Sequence, residues 1–161
     1  MTESPSQHHL VYKTEEFDFN DSQKISQAIN LLKTVFPATV FFTEEWFDWK
    51  YNKNPFGKPL GWYSSLDEKM VGLRFCIPNR FRLGDDTFNA YQMVDTATHP
   101  DHTRKGLFSS LTKKALEKVV DDGSFFFNFP NNNSLPGYLS LGWKRIECRK
   151  SVSYTHLTLP T

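Results

Sequence analysis

The sequence predicts a mixed α/β fold in one domain. Three observations lead there. The chain has 161 residues, enough for one layered core and too few for two full domains. Segments that read as strands alternate with amphipathic helical segments. Composition is ordinary for a globular chain, 39% apolar and 23% charged, and its 15 Phe, 6 Tyr and 4 Trp need a core or an apolar cleft to cover them.

The elements follow in order. His9 to Thr14 alternates weakly and reads as a first strand. Asp21 or Ser22 can cap a helix in which Ile25, Ala28, Ile29, Leu32 and Val35 recur at helical spacing until Pro37. Thr43 before Glu44 and Glu45 opens a second helix, its carboxylates in the first turn where the dipole favours them. Phe42, Trp46 and Trp49 recur there at i, i+4 and i+7, a stripe read as core or else as a cleft wall. Asn54-Pro55-Phe56-Gly57 ends that helix. Leu60 to Leu66 and Met70 to Leu83 read as strands joined by the turn Asp67-Glu68-Lys69. Gly84-Asp85-Asp86 turns into a long strand, Thr87 to Thr98, stopped by His99-Pro100. Leu107, Leu111, Ala115 and Val119 mark one face of a helix closed by Asp121-Asp122-Gly123. Ser124 to Phe129 reads as a strand covered on both faces. A short helix runs through Tyr138, and Gly142-Trp143 opens a last strand, Lys144 to Arg149.

Charge and composition exclude several classes. Nineteen basic less eighteen acidic residues leave +1, so no whole-molecule field points to nucleic acid or an anionic membrane. Cys76 and Cys148 make neither a metal-ligand pair nor a disulfide framework. The polar start MTESPSQHHL carries no apolar signal region, and the longest apolar stretch, Val35 to Phe42, is broken by Pro37 and Thr39. The expectation is a soluble, cytoplasmic protein without a metal, a membrane span or a nucleic-acid partner; a homodimer is left open. The last eleven residues, SVSYTHLTLPT, carry no charge and do not continue the preceding pattern. They resemble the in-frame translation of a transposon-type sequencing adapter, so residues 1–150 are taken as the domain and 151–161 as a non-native tail on a shortened reading frame.

The informative segment surrounds position 100. A strand ending at Thr98 leads through Asp101-His102-Thr103-Arg104-Lys105-Gly106 into an amphipathic helix beginning near Leu107. Free N–H groups and the positive dipole end at a helix start make an anion site. Gly106, without a Cβ, lets backbone approach a phosphate, and Arg104 and Lys105 add charge. A solvated basic turn capping a helix would look the same.

The run VDTATHPDHTRKGLFSSLTKKAL, Val94 to Leu116, resembles the acetyl-CoA pyrophosphate motif of the GNAT acyltransferases. Asn131-x-x-Ser134-x-x-x-Tyr138-x-x-x-Gly142-Trp143 is similar to that family's segment after the fifth strand. The Asp67 to Gly72 hairpin is similar to its usual second turn, and Trp46 to Tyr51 with Asn54-Pro55 resembles a bacterial and archaeal subgroup of longer, mostly unassigned members. The likeness covers about Val11 to Arg149. It implies a mixed, mostly antiparallel central sheet flanked by helices, lacking its last strand here, and acetyl-CoA as co-substrate with a small-molecule amine as acceptor. The family's loop reads Gln or Arg, two residues, Gly, one residue, Gly or Ala. Here Thr103 stands first and Phe108 last.

The resemblance also implies site roles. Backbone groups of Thr96, Ala97 and Thr98 would pair with the pantetheine arm, an N–H near Thr96 facing the thioester oxygen. Thr103, Arg104, Lys105, Gly106 and Leu107 would hold the diphosphate. Asn131 would bond the arm or else cap a helix, and Tyr138 would protonate the leaving thiolate or else pack beneath the last strand. Relatives often carry a glutamate base on the fourth strand where this chain has Gln92. Asp95 is next in line, facing opposite Gln92 unless a bulge intervenes. Glu45 is a further candidate, more simply serving its helix dipole, and a water chain another. His99 and His102 are expected to be solvated. Three readings stand: an acetyl-CoA-dependent N-acyltransferase, a non-catalytic GNAT-like coenzyme-binding or sensor module, and an inactive fragment whose phenylalanine strand has an unpaired edge.

Overall fold

The computed structural model describes residues 10–119 and 124–146. The turn Asp121-Asp122-Gly123, residues 147–149 of the expected last strand and the adapter-like tail lie outside them. The chain forms two compact units, Met1–Phe129 and Pro130–Thr161.

The first unit carries β1 (Lys13–Glu16), α1 (Ser22–Val35), α2 (Glu44–Phe47), a π turn (Asp48–Asn52), β2 (Leu60–Leu66), β3 (Lys69–Leu83), β4 (Asp86–Thr98), α3 (Leu107–Val119) and β5 (Phe125–Phe127). The strands form one sheet in chain order, antiparallel from β1 to β4 and parallel between β4 and β5. The β2–β3 turn is tight because Asp67 and Glu68 both take positive φ, +48° and +64°. Asp21 is the cap of α1, its carboxylate accepting from the N–H groups of Gln23 and Lys24.

Strand alternation sends Leu73 and Phe75 to the face covered by α1 and α2, where they join Phe17, Phe19, Phe47 and Tyr51. Arg74, between them, goes to the other face, where Leu107 and Leu111 of α3 press on Gly72. The aromatic core packs edge-on and tilted, with Phe75 centroids 4.7 Å from Phe17 and 5.2 Å from both Phe19 and Tyr51. Gly61 is required by this packing. A Cβ there would lie 2.7 Å from Phe75 Cδ1 and 2.9 Å from Phe19 Cζ. Gly61→Ala is therefore expected to cost about 2 kcal/mol through overpacking, read as a shift in the denaturation midpoint. An unchanged midpoint would contradict the register of β2.

Three sequence expectations are corrected. Trp49 is not core but 68% exposed. The helix widens into a π turn at Asp48, so the buried pair is Phe47 and Tyr51 and the i+7 position rotates outward. The phenylalanine strand is short and not covered on both faces, with Phe125 44% exposed. Lys144 to Ile146 form no strand. In the second unit, α4 (Leu135–Ser140) follows Ser134, and the Tyr138 and Trp143 rings meet edge-on at 4.9 Å.

Candidate active site

The segment from Thr98 to α3 has the local geometry of an anion cradle. After a 3-10 turn at Pro100–His102, Arg104 (φ +59°) and Gly106 (φ +78°) both take left-handed backbone. The first backbone N–H of this stretch to bond within α3 is that of Ser110, to the Gly106 carbonyl at 3.0 Å. Among the described residues, the N–H groups of Arg104, Lys105, Gly106 and Leu107 have no acceptor in the chain. A Cβ at Gly106 would meet nothing within 4 Å, so the space beside Gly106 is open. Arg104 and Lys105 are exposed. Thr103 turns its hydroxyl inward, donating to the Pro100 carbonyl at 3.1 Å.

Beside the cradle, β4 has a free edge. Its pairing with β5 covers Ala90, Tyr91 and Gln92 and stops there. Thr96, Ala97 and Thr98 thus keep an edge that no described strand covers, although Ala97 and Thr98 pair with Leu73 and Gly72 on the other side.

Opposite Arg74, β4 carries one extra residue. Phe75 pairs with Val94 and Leu73 with Ala97, so Asp95 and Thr96 together face Arg74. Asp95 takes φ +43° in this bulge. The bulge turns its carboxylate toward the aromatic core, the same face as Gln92. There Asp95 Oδ2 accepts hydrogen bonds from Lys50 Nζ and the Tyr51 hydroxyl. Lys50 also lies 4.8 Å above the Trp46 ring. Lys50 and Tyr51 fall within the run Trp46 to Tyr51 that carries the subgroup resemblance, but the sequence assigns neither a role at Asp95. The i+4 spacing of Tyr51 from Phe47 marks one buried face, and nothing local announces the π turn that aims both side chains at one carboxylate.

Phe108, the departure at the end of the loop pattern, has a partner. The guanidinium of fully buried Arg74 sits 4.6 Å from its ring centroid and donates to Met93 Sδ at 3.1 Å. Glu45 serves the helix start: its own backbone N–H, then the Thr43 hydroxyl, hold its carboxyl below the ordinary range. His99 and His102 are half-buried rather than solvated, their rings 5.6 Å apart, with the Tyr12 hydroxyl 3.0 Å from His102 Nδ1. In the second unit, Asn131 Oδ1 accepts from the N–H groups of Asn133 and Ser134 at 3.1 and 2.9 Å, fastening the entry to α4, and Tyr138 is buried.

Two buried groups set an alkaline limit. Burial pushes the Cys76 thiol up to about 12 from 9.0, against a smaller opposing effect of Arg74. Burial, then the Asp95 carboxylate, raise the Tyr51 phenol well above 10.0. Between the unfolded and folded values the native state keeps protons that the unfolded chain loses. Stability is therefore complete below about pH 9 and falls as pH rises toward about 12. Melting temperatures are expected to drop over that range, and Cys76→Ala to flatten the onset near pH 9. A pH-independent melting temperature would contradict this.

The open-edged sheet, the bulged fourth strand and the amide-lined helix start define an acyltransferase-type fold. The sequence matches the family described as "Acetyltransferase (GNAT) domain" over residues 18–146, and the chain belongs to the GNAT acetyltransferase family. Solved structures share the fold. A predicted acetyltransferase from Clostridium acetobutylicum, solved with acetyl-CoA, superposes with a TM-score of 0.72 at 11% identity, over 91% of this chain and 100% of that one. An aminoglycoside acetyltransferase from an uncultured soil metagenomic sample gives 0.68 at 20% identity, over 91% and 97%. Glucosamine-6-phosphate N-acetyltransferase from Arabidopsis thaliana gives 0.65 at 14%, over 91% and 99%. No curated protein matches the chain in sequence. No helix among the described residues is long and apolar enough to cross a membrane.

Proposed function

We propose that this domain transfers an acetyl group from acetyl-CoA to a primary amine of a small molecule by direct attack in a ternary complex. The observation that carries this reading is the row of unspent N–H groups at Arg104, Lys105, Gly106 and Leu107 beside the open edge of Thr96 to Thr98. The cradle binds the diphosphate, with Arg104 and Lys105 adding charge. The edge of Thr96, Ala97 and Thr98 accepts the pantetheine amides as an added strand would be accepted. A neutral amine attacks the thioester carbonyl, a C–N bond forms, the C–S bond breaks, and the nitrogen's surplus proton passes to Asp95 or, through a water chain, to solvent, from which Tyr138 is afterwards reprotonated. Thr96 N–H stabilises the developing oxyanion. Tyr138 donates its phenolic proton to the leaving thiolate, and Asn131 orients the arm through its side-chain amide.

Calorimetry with acetyl-CoA tests the reading. Binding by the wild-type chain is expected, and Gly106→Val is expected to weaken it at least about tenfold. The valine would strain a left-handed backbone by about 1–2 kcal/mol and fill the space before the amides. Absence of binding by wild type, or a Gly106→Val affinity equal to it, would remove the proposal. A second reading, a coenzyme-binding module without turnover, draws support from one feature: Asp95, the nearest candidate base, already accepts from two donors. Acetyl transfer to any member of an amine panel decides against it.

A further inference from the structure

We propose that Trp46, Tyr51 and Asp95 form an ammonium-binding subsite for the acceptor, and that Lys50 is its built-in, displaceable occupant. The inference rests on the acyl-transfer reading above and names the part of the site that would recognise the amine.

The ammonium already present defines the subsite chemically. Lys50 Nζ is ion-paired to Asp95 Oδ2 and stands 4.8 Å from the Trp46 centroid and 5.6 Å from that of Tyr51. A carboxylate below and aromatic faces beside is the general arrangement that recognises ammonium groups. The position matters as much as the chemistry. Asp95 directly precedes Thr96 in the bulge, so an ammonium held there lies next to the strand edge assigned to the thioester, and it attacks only after giving up a proton to become the neutral amine.

Two features distinguish this from an ion pair that only holds the fold together. Water reaches both partners, with side-chain exposures of 20% for Lys50 and 17% for Asp95. Lys50 is rehydrated as its flexible stem carries the charge outward, and an incoming ammonium restores the ion pair that it gives up. The surroundings, by contrast, are held rigidly. Tyr51 is wholly buried against Phe19, Phe47 and Phe75, and it donates to the same carboxylate oxygen. When Lys50 withdraws, Tyr51 keeps Asp95 aimed. The left-handed Asp95 in a bulge and the π turn carrying Lys50 and Tyr51 are both local departures of the kind that gather at functional sites.

An internal occupant lowers apparent affinity by the fraction of time the subsite is vacant. With Lys50 out about a tenth of the time, its removal tightens amine binding about tenfold. The test uses the full chain and 1,4-diaminobutane as probe, read by tryptophan fluorescence or calorimetry. Lys50→Met is expected to bind about tenfold more tightly than wild type, Lys50→Arg like wild type, and Lys50→Met with Asp95→Asn to lose binding. Wild-type chain provides an independent readout should Lys50→Met fold poorly. Saturating trimethylammonium, which an acylating reagent cannot label stably, should expel Lys50 and raise its labelling several-fold by mass spectrometry. Equal affinity in wild type and Lys50→Met overturns the proposal, as do binding that survives Asp95→Asn in that background and Lys50 labelling insensitive to trimethylammonium. Acetyl-CoA calorimetry on the same samples separates the two readings: lost coenzyme binding with a tightened amine sinks acyl transfer and spares the subsite, and the reverse result sinks the subsite alone.

Discussion

Phe75→Ala is expected to lower stability by about 4 kcal/mol and the melting temperature by roughly 10 °C. Phe75 is completely buried and stands where the rings of Phe17, Phe19, Phe47 and Tyr51 converge. Its removal loses both the transfer free energy of the ring and the contacts of its neighbours, because β2 is held in register through Gly61 and cannot close the gap. Against a total stability of about 5–15 kcal/mol for a domain, the loss is large. Chemical denaturation measures it. A loss below about 1 kcal/mol would mean that the ring cluster is not the centre of the core.

Tyr138→Phe is expected to lower the rate of acetyl transfer about 100-fold while leaving acetyl-CoA affinity unchanged. The substitution keeps the buried ring and its edge-on contact with Trp143 and removes only the phenolic hydroxyl. A rate within twofold of wild type would take the acid role away from Tyr138 and leave it as packing. A simultaneous loss of coenzyme binding would place its hydroxyl in binding instead.

Much of the fold was legible because short-range chemistry determines it. Asp21 before an amphipathic run, Thr43 before two glutamates, and the Asp67-Glu68 turn each act through groups within a few residues, and the structure has all three. The turn before α3 is local in the same way: Arg104 and Gly106 take left-handed backbone within one loop, at the start of one helix. Trp49 departs from the stripe because a regular helical period does not hold across a π turn. Phe125 is exposed because apolar content alone does not fix how many layers cover a strand.

The sequence by itself determined the alternation of strands and helices, the caps and turns, and the amide-lined loop between Thr98 and Leu107, since each depends on neighbours along the chain. Only the tertiary structure decided where Asp95 points and what it meets. The bulge opposite Arg74 is a mismatch of one residue between two strands, and it has no signature in either strand read alone. Lys50 and Tyr51 reach Asp95 across 45 and 44 positions of sequence, brought there by the packing of the helix on the sheet. The physical reason is range: backbone hydrogen bonding and φ preference are local, whereas a carboxylate's charged partners are chosen by whichever surface the core presses against it.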